Sequence, residues 1–424
     1  MTYSAGIDLG TSGVRCCVID EAHNIVAESR TPGNPTTSPH PGWSQQEPEA
    51  WWTQVCHCLQ QLPPDIRRKL SQLAVDGTSS TLLLSDPTGT PLTPALMYND
   101  TRATAEAQRI STIAPAESAA HGASSSLAKL LWLLKNTHPN HPAHALHQAD
   151  WINGRLSDCW SISDYNNALK LGYDPINLCW PQWIHQLGCD TTLLPHVVAP
   201  GSDIGTIHPA VAQTLGLPTN LKILTGTTDS TAAFIATGAT QPGDAVTSIG
   251  STLVMKIISE KPTFTPEYGV YSHRLGKRWL VGGASNTGGA VLRKYFTIEQ
   301  IETLSRKINP RKDTGLDLYP LLEPGERFPI SDPNLKPRIP PAENLKPEIF
   351  LQALLEGIAN IEATAYQRLH ELGTPYPKQV LTAGGGAKND VWTAIRARKL
   401  GVQVTTPEHT EAAYGTALIG KRSF

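Results

Sequence analysis

Short apolar runs separated by clusters of small residues organise the first part of the chain. Gly6 to Leu9 reads as a buried strand ending in a carboxylate, Asp8. The small-residue hairpin Gly10-Thr11-Ser12-Gly13 follows, and Val14 to Asp20 is a second strand. Glu21 to Asn24 turns into a third strand near Ile25-Val26-Ala27. The proline-rich stretch Thr31 to Pro48 is an extended loop. Glu49 to Leu62 has helical spacing, with Trp51, Trp52, Val55 and Leu59 recurring. Leu73-Ala74-Val75 is a short strand ending at Asp76-Gly77-Thr78-Ser79-Ser80. Leu82 to Leu84 continues extended to a turn at Asp86 to Gly89, and residues 101–185 read as mostly helical.

The pattern then restarts. Lys222-Ile223-Leu224 is a strand leading into Thr225 to Asp229 and a small-residue helix, Ser230 to Ala236. Ala245 to Ile249 is a strand that meets the turn Gly250-Ser251-Thr252. A strand followed by a hydroxyl-bearing small turn thus occurs twice, which predicts two related α/β halves facing one another, divided at 224/225. Pro320 to Pro347 reads as a surface crossing. Glu348 to Leu372 is a long amphipathic helix with Phe350, Leu354, Ile358 and Ile361 on one face. Lys378 to Thr382 is a buried strand, Ala383 to Asn389 turns into a helix through Leu400, and a last helix spans Glu411 to Gly420.

A chain of 424 residues predicts two or three domains, and 40% hydrophobic against 17% charged residues suits a globular core. The net charge of −2 comes without a basic stripe, which argues against nucleic acid as partner. No apolar run approaches the ~18 residues of a membrane span, and the N-terminus runs into a strand with no signal-peptide pattern. Seven cysteines with no Cys-x-x-Cys read as free thiols in a reducing cytoplasm.

The hairpin after Asp8 has two readings. One is an ordinary tight turn. In the other, backbone N–H groups close on a phosphate, the Thr11 and Ser12 hydroxyls add donors, and Asp8 holds Mg²⁺ through water. Asp229, at a strand end and a helix start, is either a favourable cap or a general base for a substrate hydroxyl as a γ-phosphoryl group arrives. Gly384-Gly385-Gly386 is either a helix entry packed on the sheet or a place where backbone meets a nucleotide base, with Asn389 bonding base or ribose. Gly415 to Lys421 imitates a P-loop, but Arg422 stands where Ser or Thr is needed and no strand precedes it. His138, His141, His144 and His147 fall every third residue and read as either a metal site or a solvent-exposed loop, the latter preferred, since Pro139 and Pro142 prevent a helix through the first half. The Cys56-His57-Cys58 fragment lacks a second ligand pair. For Trp43, after Pro41-Gly42, core and ligand-facing readings are both open.

Together these segments resemble the FGGY carbohydrate kinase family, within the actin/hexokinase/Hsp70-type ATPase superfamily, over nearly the whole chain. Asp8 to Arg15 resembles the first phosphate motif, and Gly42 to Trp52 the Gly-Trp-x-Glu-x-x-Pro-x-x-Trp segment. Tyr98-Asn99-Asp100-Thr101-Arg102 is similar to the sugar-side Trp-x-Asp-x-Arg element. Ser124 to Trp132 looks like the signature around Lys-Leu-x-Trp. Gly250-Ser251-Thr252 falls at the second phosphate motif and Gly384 to Ala387 at the adenosine motif.

The resemblance implies two actin/hexokinase/Hsp70-like (ribonuclease H-like) α/β domains with a cleft between them, 1–224 on the sugar side and 225–424 binding ATP. It implies ATP phosphates at Gly10, Thr11, Ser12, Gly13, Gly250, Ser251 and Thr252, flanked by Gly288 and Gly289, with the adenosine at Gly384, Gly385, Gly386 and Asn389. Mg²⁺ falls to Asp8, a sugar to Ser79, Ser80, Asp100 and Asp8, and the base to Asp229. Three departures stand out. Asp76 to Ser80 lacks both the Gln-Met-His run typical of xylulose kinases and the Gln-Arg-Glu run of glycerol kinases; the chain is shorter than most members; and Ala128 replaces a common proline. The compact form and the serine pair look most like small ketopentose kinases of cyanobacteria and plants, nearer D-ribulose than D-xylulose. A cytoplasmic ATP-dependent ketopentose kinase is the resulting expectation, against a non-catalytic ATP- and sugar-binding sensor. Neither the preferred sugar nor the oligomeric state is legible.

Overall fold

The computed structural model describes residues 2–421. The chain forms two compact units, one running to Ala236 and resuming at Glu411, the other Thr237–Thr410. This differs from a division at 224/225. Helix Asp229–Ala236 stays with the first unit, and helix Ala412–Ile419 joins it there.

In the first unit, β1 (Tyr3–Gly10), β2 (Gly13–Ile19), β3 (Ile25–Pro32), β4 (Leu70–Gly77), β5 (Asp203–Thr206) and β6 (Lys222–Leu224) form one sheet in the order β5-β6-β4-β1-β2-β3. β1 is parallel to β4 and antiparallel to β2. Side chains alternate across a strand. Ala5, Ile7 and Leu9 therefore join the core with Trp51, Val55 and Leu59 of helix Pro48–Gln61. Gly6 and Asp8 turn to the opposite face, beneath helix Ala412–Ile419. A Cβ on Gly6 would lie 2.2 Å from the Ala413 carbonyl oxygen, so only glycine lets that helix approach.

A smaller sheet joins Gln45–Gln46, Ala95–Leu96, Leu82–Ser85 and His144–His147, with helix Ser126–Thr137 packed on it. The expectation of mostly helix over 101–185 is corrected. Helices cover Thr104–Ser111, Ser126–Thr137 and Gln148–Ser157, and the rest is short strand, single turns and loop. Prolines and glycines, among them Pro115, Pro139, Pro142 and Gly172, interrupt the helical pattern. The histidine series is not a solvent-exposed loop throughout: His144–His147 is a strand, and His147 is fully buried against Asp150, Nδ1 to Oδ2 at 3.1 Å.

The second unit repeats the wiring. Strands β7 (Asp244–Ile249), β8 (Leu253–Ser259), β9 (Tyr271–Leu275), β10 (Arg278–Ser285), β11 (Gln379–Ala383) and β12 (Gln403–Thr405) run in the order β9-β10-β8-β7-β11-β12. β7 is antiparallel to β8 and parallel to β11, as β1 is to β2 and β4. Helix Pro347–Glu371 buries Phe350, Leu354, Ile358 and Ile361 as its periodicity predicts. The segment 320–347 is not a mere surface crossing. Phe328 and Leu321 are buried, and the carboxylate of Glu326 accepts bonds from Ser285 Oγ, Asn286 N and Tyr319 Oη. Proline signals an extended backbone but not the depth at which it runs.

All seven cysteines are free. No described helix is long and apolar enough to cross a membrane. The P-loop imitation lies largely in helix Ala412–Ile419; Arg422 and Phe424, which bear on rejecting it, lie outside the described residues.

Candidate functional site

In the first unit a pocket of about 430 Å³ gathers Asp8, Gly10, Thr11, Ser12 and Asp229 with Arg15, Thr78, Tyr98 and Glu411. Asp8 comes from the end of β1, the hydroxyls from its hairpin, and Asp229 from the first position of helix Asp229–Ala236. Gly13 closes the hairpin opposite Gly10. Arg15 faces Asp8 across the β1–β2 pair, where its Nη1 bonds Asp8 Oδ2 at 2.8 Å and its Nη2 bonds Ser12 Oγ at 3.1 Å. Burial raises the Asp8 carboxyl above the usual range, and Arg15 opposes that shift. Asp229 Oδ1 accepts from the N–H of Ser230 at 2.6 Å, a bond of the sort a helix start offers.

Behind Asp8 sits Asp76, its register partner on the parallel neighbour β4. Asp76 is fully buried, accepts a hydrogen bond from Thr416 Oγ1, and has no hydrogen-bond partner at Oδ1 among the described residues. Burial first, then the Asp8 charge, pushes its carboxyl well above the ordinary range. The pocket backbone is held from behind. Thr78 donates from N and Oγ1 to Gln148 Oε1 at 3.0 and 2.9 Å, and Asn166 Nδ2 donates to Thr227 Oγ1 at 3.0 Å.

Three expected sugar contacts stand elsewhere. Ser79 is half-buried and does not line this pocket. Ser80, at φ 71°, is buried, and its hydroxyl has no partner among the described residues. Asp100 is fully buried, both carboxylate oxygens receiving Arg102 Nε at 3.0 Å and Oδ2 also receiving Ser44 N at 2.6 Å. It is closed to a ligand, because Arg102 already satisfies it in a fork. Arg102 in turn stacks 3.7 Å from the Trp43 ring and 4.9 Å from Trp132. Trp43 thus carries an arginine, and it also lines a pocket with Thr11 and Tyr98. Lys129, fully buried, donates to the carbonyls of Ser80 and Met97 at 2.9 and 2.7 Å, and burial lowers it to about 7. Lys129 and Arg102 thus tie the Ser79-Ser80 and Tyr98-Asn99 turns to helix Ser126–Thr137.

In the second unit a cavity of about 740 Å³ is lined by Gly250, Ser251, Gly289, Gly385, Gly386 and Asn389, with Leu292, Arg293, Ile298, Ile301 and Trp392. Thr252, Gly288 and Gly384 do not line it. Gly384, at φ 82°, is pressed so closely on Ile249 that a Cβ would lie 2.7 Å from the Ile249 carbonyl oxygen. Asn389 borders the cavity, but its amide is engaged within the protein. Oδ1 caps helix Asp390–Leu400 at Trp392 N, and Nδ2 donates to Ser305 Oγ at 2.9 Å. Asn389 thus serves as the cap of this helix while bordering the cavity.

Two family models cover almost all of the sequence: the N-terminal domain of the FGGY family of carbohydrate kinases matches residues 3–236, and its C-terminal domain residues 245–424. The chain belongs to the FGGY carbohydrate kinases. It is 24% identical to the xylulose kinase of Staphylococcus xylosus over 99% of this chain and 90% of that protein. It is 22% identical to the gluconokinase of Bacillus subtilis over 99% and 87%. Among solved structures, the Brucella ovis protein described as a xyloylose kinase superposes with a TM-score of 0.89 at 24% identity, covering 99% and 90% of the two chains. This likeness confirms the two-unit α/β fold of FGGY kinases, of actin/hexokinase type.

Asp76, Thr78 and Tyr98 were not singled out as site residues by sequence. Asp76 had a signal in plain view: like Asp8, it is a carboxylate ending an apolar strand just before a small hydroxyl turn.

Proposed function

We propose that this FGGY kinase transfers the γ-phosphoryl group of ATP to the terminal hydroxyl of a ketopentose, D-ribulose. The observation that supports the transfer is the meeting of Asp8, the Thr11 and Ser12 hydroxyls and Asp229 in one pocket of the first unit. Asp229 accepts the proton of the sugar hydroxyl as the phosphoryl group arrives. The hairpin N–H groups and hydroxyls steady the phosphate oxygens, and Tyr98, 44% exposed for a large aromatic side chain, gives the sugar a flat wall. Family members use ATP with Mg²⁺ as a rule. Asp8 and the adjacent hydroxyls form an all-oxygen set that suits Mg²⁺ held through water, which would neutralise phosphate charge. The choice of D-ribulose comes from the family resemblance, in which Ser79-Ser80 stands where xylulose and glycerol kinases carry their typical runs; neither serine lines this pocket. The names of the relatives favour D-xylulose as a second reading.

The test is coupled ADP release with Mg-ATP against D-ribulose, D-xylulose, L-ribulose and glycerol, with Asp229→Asn beside the wild type. Release that depends on D-ribulose and disappears in the variant is the expected result. Dependence on another sugar replaces the substrate. Release indifferent to every sugar, or none, removes the kinase reading in favour of a sensor.

A further inference from the structure

The helix that begins at Asp229 is entered by a strand end whose backbone is anchored along one edge. Gly226 runs so close to β4 that a Cβ there would collide with the Val75 carbonyl oxygen, and Thr228 forms a parallel bridge to Gly77, the last residue of β4. The Thr228 carbonyl accepts from Thr231 N and Ala232 N, each at 2.9 Å, which starts helix Asp229–Ala236. Between the two anchors stands Thr227, fully buried. Its Oγ1 accepts from Asn166 Nδ2 at 3.0 Å, across 61 residues of sequence.

Asn166 is itself held in place. It is 1% exposed and follows the short strand Ile162–Asp164, which pairs in parallel with His196–Val198. Asp164 Oδ1 accepts from Asn166 N at 2.8 Å and from Asn167 N at 3.1 Å, and Oδ2 accepts from Asn167 Nδ2 at 2.6 Å. A carboxylate closing on the N–H two residues ahead is an Asx turn, which fixes the direction of the backbone and so the origin of the Asn166 side chain. Contacts to β4 set where the entering strand end lies in the sheet but let it roll about that edge. The Thr227–Asn166 bond runs to a different element and opposes the roll. Both groups are buried, so neither can exchange the bond for water without cost. Asp229 follows two residues later at the first helical position, where a roll of the entering strand turns its carboxylate directly.

We infer that Asn166 is a positioning residue for phosphoryl transfer: through Thr227 it sets the angle at which the chain enters helix Asp229–Ala236 and so aims the Asp229 carboxylate into the pocket. The inference rests on Asp229 as the base and deepens that reading. The test is sugar-driven ADP release by the full-length protein, with D-ribulose or whichever of the four sugars supports turnover. Asn166→Ala is expected to lower kcat about 10- to 100-fold, the scale of a misaimed reacting group, with sugar KM and ADP affinity within about threefold of wild type. In an Asp229→Asn background the same substitution is expected to change kcat little, because the group it aims is gone. Thr227→Val, which keeps the shape but not the acceptor, should resemble Asn166→Ala; Thr227→Ser, which keeps the acceptor, should lose much less. Thermal melting checks that each variant is folded, and if Asn166→Ala is not, the two Thr227 variants decide by the same readings. A wild-type kcat in folded Asn166→Ala and Thr227→Val overturns the inference while leaving Asp229 the base. A loss of equal size in the Asp229→Asn background overturns it as well, and so does a loss shared by KM and ADP affinity, which is what a general loosening of the unit would give. If Asp229→Asn alone keeps a near-wild-type rate, the base and the inference fall together.

Discussion

The two units treat buried polar pairs on adjacent parallel strands differently. In the first, Asp8 on β1 stands beside Asp76 on the parallel strand β4; in the second, counting from the glycine turn, those positions hold Ser248 and Ala383, and the polar pair on β7 and β11 lies one residue earlier, at Thr247 and Thr382, on the opposite face of the sheet. Around the threonines every polar group is answered. Glu362 takes the Thr247 hydroxyl at 2.5 Å and the Arg396 guanidinium at 2.6 and 2.7 Å, and Arg396 Nη1 reaches Thr382 Oγ1 at 2.6 Å. Around the aspartates, Asp76 has a second oxygen with no geometric hydrogen-bond partner among the described residues, Asp8 relies on a half-exposed arginine, and the Asp8 and Asp229 charges help hold the Asp76 carboxyl above its ordinary range. One sheet uses its polar pair to hold itself together, and the other keeps its pair of carboxyls under mutual repulsion beside a pocket. Unsatisfied buried carboxylates are costly and persist where they serve chemistry.

The sharpest way to break the comparison is to remove chemistry from one unit and stability from the other. Asp229→Asn is expected to lower turnover by roughly 10²–10⁴-fold, the usual range for a general base, with ADP affinity intact; steady-state rates and titration read the two. A near-wild-type rate would leave Asp229 a helix cap. Arg396→Leu is expected to do the reverse. It strands Glu362, 1% exposed, without its counter-charge, and breaking one partner of such a buried pair costs about 3–5 kcal/mol. Urea unfolding measures it, and a loss below about 1 kcal/mol, the range of surface pairs, would mean the network is not what holds the second unit.

Lys129 sharpens the contrast from the other side, as a buried cation of the first unit bonded to carbonyls alone. Its amine sits at about 7 in the folded protein against 10.5 for the free group. Between those values the unfolded chain binds more protons, so wild-type stability rises with pH across that window, and the burial penalty is in full force below it. The slope for one proton reaches about 1.4 kcal/mol per pH unit. Lys129→Met should remove this slope while adding a pH-independent loss from the two stranded carbonyls. A wild-type-minus-variant difference that stays flat from about pH 7 to 9 would mean the amine remains charged.

What the sequence made legible was local. The β1–β2 hairpin, the glycine turns and the 3.6-residue stripe of Pro347–Glu371 are signals within a few residues of one another, and Asp8 and Asp229 announce themselves at element ends. The non-local partners were not legible. Thr416, which answers Asp76, lies 340 residues away in sequence, and the Trp43–Arg102–Trp132 stack is assembled from three segments. The burial of Asp100 was not legible either, because a sugar-side motif does not say that its carboxylate bonds its own arginine two residues on.

Asn389 has a second role that sequence rules alone make visible. An Asn immediately before a helical stretch is an N-cap signal, and the structure shows that use, with Oδ1 on Trp392 N. Asn389→Ala is therefore expected to cost about 0.5–2 kcal/mol of stability, the range for losing a cap, read by denaturant unfolding. The second unit's turns are built to hold shape and let the backbone meet the ligand, so ADP affinity should change little. If instead ADP binding fell tenfold while stability held, the amide would be a ligand contact after all.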